Sequence, residues 1–142
     1  MFGDGMAVTR AQRKAETRLR ILDAALRLLA GGRGVDGLGL REVAREAGLA
    51  PPSLYNHFPD MDGLGLALID LACFRLREVM RQGRKELVVN DPSAGIRDLV
   101  ERFFRYLSEY EAEFRLLIQQ RMGNSVRYRR RIHREIQLFR AE

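Results

Sequence analysis

Between Leu40 and Phe58 the chain reads LREVAREAGLAPPSLYNHF, and no other stretch restricts the fold as much. Leu40, Val43, Ala44 and Ala47 recur at helical spacing, which gives a short helix one apolar face. Gly48 ends that helix, because glycine takes the left-handed cap conformation without a Cβ penalty. Gly48, Leu49 and Ala50 carry the chain around. Pro51 and Pro52 have φ preset for a first helical turn and lack the N–H groups that would be orphaned there. Leu54 and Phe58 turn inward, which leaves Ser53, Tyr55, Asn56 and His57 for another face. A short helix, a glycine turn and a second short helix with polar tips form a helix-turn-helix, whose second helix enters the major groove of duplex DNA.

The same residues carry a resemblance. Leu40 to Gly48, followed by Ser53 to Phe58, resembles the DNA-binding signature of the TetR family of bacterial repressors. A longer set is similar to the TetR-type repressors of unsaturated fatty acid synthesis. It comprises REVAREAGLAP, LYNHF, the Asp60-to-Leu66 stretch DMDGLGL, then FRLLIQQRMGNS and HREIQLF. The resemblance covers most of the chain from Arg10 onward. It implies a homodimeric repressor that binds a palindromic double-stranded operator and responds to long-chain acyl-CoA as effector, with no resident cofactor. It also implies an all-α fold, in which a three-helix DNA-binding domain precedes a helical ligand-binding and dimerisation domain.

The boundaries expected on this reading are an N-terminal arm at 1–8, a helix-turn-helix domain at 9–59 and the helical domain at 60–142. TetR-like proteins continue for several more helices, so the second domain is expected to be partial here. The chain stops at Arg140-Ala141-Glu142 without a glycine or proline stop.

Composition agrees with a soluble intracellular regulator. Of the 142 residues, 46% are hydrophobic and 31% charged, ordinary values for a globular protein. No apolar run approaches the roughly 20 residues that span a bilayer, so no membrane partner is expected. The start, MFGDGMAVTR, lacks a basic-then-apolar export pattern. A single cysteine, Cys73, excludes an internal disulfide and fits a cytoplasmic setting. The net charge of +6 leans toward a polyanionic partner.

Thr9 with Gln12 predicts a capping-box start. Ala15, Leu19, Leu22, Leu26 and Leu29 then form one apolar stripe. Arg10, Arg13, Lys14, Arg18 and Arg20 crowd the first half of this helix and read either as phosphate contacts or as a solvated face. The glycines at 31, 32, 34, 37 and 39 follow a helix rather than a strand, which argues for a turn and against a nucleotide-cradling loop. Relatives commonly place a Ser or Thr where Gly39 stands.

The resemblance assigns DNA contact to Arg10, Arg13, Lys14, Arg41, Pro51, Pro52, Ser53, Tyr55, Asn56 and His57. Tyr55 could instead pack on the first helix, and His57 could be a core histidine. Asn56 suits bidentate pairing with adenine, although relatives more often have a basic residue there. Pro52 removes a backbone donor from the recognition helix.

Asp60 is expected to cap a connector helix running to about Gly83. Leu64, Ala67, Leu68 and Leu71 lie on one face of it, and Leu66, Ile69, Leu76 and Val79 on others. Cys73 reads as a small buried hydrophobe. Asp91 with Pro92 starts the next helix, and further helices are expected to end near Gly123 and to begin at Ser125. Phe74, Phe103, Phe104, Leu107, Tyr110, Phe114, Leu117 and Tyr128 form a candidate apolar ligand pocket, and they read equally as core. Arg121, Arg127, Arg129, Arg130, Arg131 and Arg134 form a basic tail. It could hold coenzyme A phosphates or DNA, or face solvent.

Two other functions compete. One is a TetR-like repressor of a different pathway, such as efflux, sensing another apolar molecule. The other is an acyl-binding protein that does not act on DNA. An enzyme is disfavoured because His57 and His133 are far apart, with no metal-ligand spacing and no nucleophile elbow; neither catalytic residues nor a metal site are expected.

Overall fold

In the computed structural model, which describes residues 9–89 and 92–141, the chain is all-α, as expected. Helix α1 spans Arg10–Leu29, α2 Leu40–Ala47, α3 Pro51–His57, α4 Met61–Val89, α5 Pro92–Glu109, α6 Glu111–Arg121 and α7 Val126–Ala141. A single 3-10 turn, Val35–Gly37, interrupts the glycine-rich link between α1 and α2. The expected N-terminal arm and the Asp91 cap lie outside the described residues.

Local signals fix most helix ends. Both capping-box bonds form at α1: the Gln12 amide donates to the Thr9 hydroxyl, and the Thr9 amide donates to the Gln12 side chain. Gly48 closes α2 at φ +71°, and the Leu49 amide reaches back to the Ala44 carbonyl at 2.8 Å, a Schellman closure. The Gly63 amide donates to Asp60 Oδ1 at 2.8 Å at the head of α4. The Ser125 hydroxyl accepts from the Tyr128 amide at 3.3 Å at the head of α7.

Two expectations change. The apolar stripe of α1 is Ile21, Leu22, Ala24, Ala25, Leu26 and Leu29; Ala15 and Leu19 are exposed. The first turns of α1 project past the core, so their apolar residues have nothing to pack on. Nor does α4 stop at Gly83. It runs on to Val89 because α5 crosses it there: a Cβ on Gly83 would lie 2.3 Å from Leu99 Cδ1. This glycine allows a close helix crossing and does not terminate the helix.

One continuous core joins the elements. Ile21, Leu26, Val43, Leu54 and Phe58 of the N-terminal helices are clustered with Leu64, Leu68 and Ile69 of α4, Leu116 of α6 and Ile132 of α7. The connector is therefore packed on both sides, as its nearly all-round apolar surface requires. Helix α7 is held to α4 by ion pairs from Arg127 to Asp62 at 3.0 Å, Arg131 to Asp70 at 2.7 Å and Glu135 to Arg77 at 3.3 Å.

At the top of this contact Tyr128, buried, donates its hydroxyl to the Met61 carbonyl at 3.4 Å. A Cβ on Gly65 would lie 2.1 Å from that hydroxyl oxygen. Gly65→Ala gains about 1 kcal/mol in helix propensity but must displace a packed ring. A net loss of about 1–2 kcal/mol is expected as a lower urea midpoint at unchanged slope. An unshifted midpoint would mean the ring yields freely.

Candidate nucleic-acid interface

The N-terminal helices place two sets of polar side chains on the surface. Leu54 is the only fully buried residue inside α3, so it fixes which way the helix faces. Pro52, Ser53, Tyr55 and Asn56 are thereby exposed, with Pro51 and His57 half-buried. Arg41 on α2 is exposed, as are Arg10, Arg13 and Lys14 on the projecting half of α1. Tyr55 does not pack its ring away: it is 38% exposed.

The two sets meet at the end of α3. Arg18 stacks its guanidinium over the Phe58 ring, 4.6 Å from the centroid. His57 is held below its ordinary value of 6.5, by burial first and then by the positive charges of Lys14 and Arg18. It is therefore a neutral imidazole at pH 7, able to donate one hydrogen bond from either ring nitrogen. Arg18 belongs to the basic run read from the sequence, but its role against Phe58 required the fold. Its spacing of four from Lys14 was the available clue.

The α3 N-terminus offers little to an anion. Pro51 and Pro52 have no N–H, and the Ser53 amide is spent on the Ala50 carbonyl at 3.0 Å. Contacts from α3 must therefore come from side chains. Helix α2 has no side-chain cap at Gly39, although a Cβ there would meet nothing within 4 Å. The absence of a Ser or Thr is not a steric necessity.

The residues considered for a ligand do not share one cavity. Phe103 and Phe114, with Tyr106 and Tyr110, form an edge-to-face cluster at centroid distances of 5.5 to 6.4 Å. Phe104 and Phe74 point outward, 63% and 52% exposed. Leu117 lies in the core, Leu107 is half-buried, and Tyr128 is the contact that seats α7 on α4. Arg121 is exposed beside a small cleft formed with Arg129, Ile132, His133 and Ile136.

Three arginines of the basic tail are already engaged: Arg127 and Arg131 with α4, and Arg129 with the Gly123 carbonyl. Burial pushes the Cys73 thiol up to about 12, far from thiolate chemistry. Among the described residues there is no cluster of metal-ligating side chains, and no helix is long and apolar enough to cross a membrane.

Two clefts flank the α4–α5 contact. One, of about 190 Å³, is lined by Cys73, Leu76, Met80, Phe103, Ile136 and Phe139, with Arg77 and Glu135 beside them. The other, of about 440 Å³, mixes Phe74, Val79, Tyr106 and Tyr110 with Arg75, Arg102 and Arg105.

Residues 21–68 match the family model described as bacterial regulatory proteins, tetR family. The matched span covers most of α1, all of α2 and α3, and the first turns of α4. The whole chain is similar to the crystal structure of PfmR, a TetR family transcriptional regulator from Thermus thermophilus, at 25% identity and a TM-score of 0.61. That match covers 86% of this chain and 69% of the other. With a buried-Leu54 recognition helix, a basic α1 and this kinship in sequence and fold, the chain is a TetR-family DNA-binding transcriptional regulator, and not an enzyme.

Proposed function

We propose that the protein is a repressor that binds a palindromic operator as a homodimer and releases or tightens on it in response to long-chain acyl-CoA, controlling genes of unsaturated fatty acid synthesis. The observation that carries the DNA half is the single outward surface formed by α3 and the N-terminal half of α1. Ser53, Tyr55, Asn56 and neutral His57 supply polar contacts. Arg10, Arg13, Lys14 and Arg41 supply positive charge toward phosphates. Pro51 and Pro52 shape the entry of the helix. A dimer presents two such helices about 34–36 Å apart, one helical turn of DNA.

The effector half is supported by the resemblance of Phe114–Ser125 and His133–Phe139 to acyl-responsive repressors, and by the cleft beside α7. Ile136 and Phe139, within the second of those segments, line that cleft, whose other wall is Cys73, Leu76, Met80 and Phe103. A wall with so little polar surface suits a hydrocarbon chain. An effector shifts operator affinity only as far as it prefers one of two states.

Operator binding at fixed salt, titrated with oleoyl-CoA and then palmitoyl-CoA, tests the whole reading. Opposite responses to the two are expected. Tight operator binding indifferent to both would reject acyl sensing and leave a repressor of another pathway. Failure to bind any duplex would favour an acyl-binding protein that does not act on DNA.

Tyr55→Phe tests the surface itself. Loss of a hydroxyl that bonds a phosphate weakens operator and random duplex alike, by about 1–3 kcal/mol. Unchanged affinity for both would remove Tyr55 from the interface.

A further inference from the structure

Arg75 on α4 stands between two clefts. The first is the mixed cleft between α4 and α5. The second, about 410 Å³, opens toward α1 and is lined by Asp23, Leu26, Arg27 and Glu113 among others. Arg75, Glu109 and Tyr110 line both.

The guanidinium lies over the Tyr110 ring at 5.1 Å. Its Nη1 donates to Glu113 Oε2 at 3.1 Å, and its Nη2 reaches Asp23 Oδ1 at 3.4 Å. The two pairs are unequal. Glu113 is 6% exposed and close, whereas Asp23 is 43% exposed and at the outer limit of a hydrogen bond. Asp23 belongs to α1, the helix whose projecting end faces DNA on the reading above. The loose half of the pair is therefore the half that ties α4 to the DNA-binding head.

The mixed cleft has unmet donors. Arginine carries five N–H groups in a planar fork, and two contacts leave the rest free. Tyr106, 1% exposed, has a hydroxyl with no hydrogen-bond partner. A buried hydroxyl left unpaired is costly unless something supplies an acceptor. Arg105 on the rim has no ion-pair partner among the described residues. Three arginines line this cleft against two carboxylates, Glu78 and Glu109, and Glu78 is paired with Arg81 at 3.1 Å. Phe74, Val79 and Tyr110 supply apolar and aromatic surface beside these donors.

We propose that this cleft recognises a small carboxylate with an aromatic or short aliphatic body, held by Arg75 and Tyr106, and that its binding competes with Asp23 for Arg75. It is a site separate from the apolar cleft beside α7. A ligand carboxylate accepts from the Arg75 fork and from the Tyr106 hydroxyl, a charge-assisted pair of bonds. Asp23, being exposed, returns to water at little cost. The α1–α4 tie is then lost while the buried α4–α6 tie remains. The consequence for operator affinity rests on the ligand-responsive reading; the binding itself does not.

Calorimetric titration of the full chain with benzoate and octanoate, and with benzamide and octanamide as uncharged controls, tests the site without DNA. At least one acid is expected to bind and neither amide. Tyr106→Phe should weaken the acid about tenfold or more, and Arg75→Lys, which keeps the charge for Glu113 but loses the fork, should weaken it similarly. Asp23→Asn should strengthen it, because Arg75 no longer has an ionised competitor. No binding by either acid, equal binding of acid and amide, or affinity unmoved by Tyr106→Phe and Asp23→Asn would each overturn the proposal. Binding that passes these tests in a protein whose operator affinity ignores oleoyl-CoA and palmitoyl-CoA would retain the site and discard the acyl-CoA reading.

Discussion

Leu54→Ala is expected to lower folding stability by about 2–5 kcal/mol, the range for truncating a buried leucine where the surroundings collapse only in part. Leu54 is fully buried and is the one buried residue within α3. Helix α3 has seven residues, too few to hold together in water without tertiary packing. Its N-terminus has no side-chain cap, so the leucine anchor and the proline start are what orient it. Urea unfolding measures the loss as a lower midpoint. Operator binding should fall with it, since Ser53, Tyr55 and Asn56 keep their register only while α3 is seated. Leu19→Ala is the control. Leu19 is 44% exposed on the projecting part of α1, and its truncation should stay within about 0.5 kcal/mol. Equal losses at the two positions would contradict the burial pattern of the N-terminal helices.

The contrast between these leucines shows what was legible in the sequence. Signals that act over three to five residues were readable: Thr9 with Gln12, Gly48 after α2, Asp60 before α4, Ser125 before α7. Each satisfies helix-end groups from its own neighbourhood, so the residue type alone carries the information. Periodicity was readable only where a core lies beneath it. Ala15 and Leu19 continue the same spacing as Leu22 and Leu26, and nothing in the spacing reveals that α1 outruns its partners there.

Gly83 illustrates the converse. Read alone it is a helix stop; in the fold it is the point where Leu99 of α5 passes close to α4. The polar surface of α3 followed from the position of Leu54 and Phe58, whereas the ties between distant segments did not. Arg127 pairs with Asp62 across 65 residues and Arg131 with Asp70 across 61, so part of a basic tail that reads as a polyanion site is a helix clamp. The Arg75 pairs were invisible for the same reason, being 52 and 38 residues apart. A charge at position 75 inside an otherwise apolar helix was the only hint.

That arginine gives the other large expected effect. Arg75→Met removes the guanidinium and leaves Glu113, 5% exposed, without a counter-charge. Removing one partner of a buried ion pair costs about 3–5 kcal/mol, because the remaining charge stays desolvated. The loss should depend on pH in a defined direction. In the intact protein Glu113 is already raised above its ordinary 4.5, burial being the largest cause and Arg75 the main opposing one. Without Arg75 it rises further. A carboxyl raised in the folded state contributes stability that is fully present below its unfolded value and is lost as pH rises through the folded value. The deficit of Arg75→Met relative to the intact protein should therefore be small near about pH 4.5 and grow toward about pH 8, read by urea midpoints at several pH values. Adding Glu113→Leu removes the stranded charge, and the double variant should regain most of the loss and all of its pH dependence. A deficit that is the same at both ends of the range, or that Glu113→Leu leaves in place, would mean that Arg75 stabilises the fold through its stem packed on Tyr110 and not through its charge.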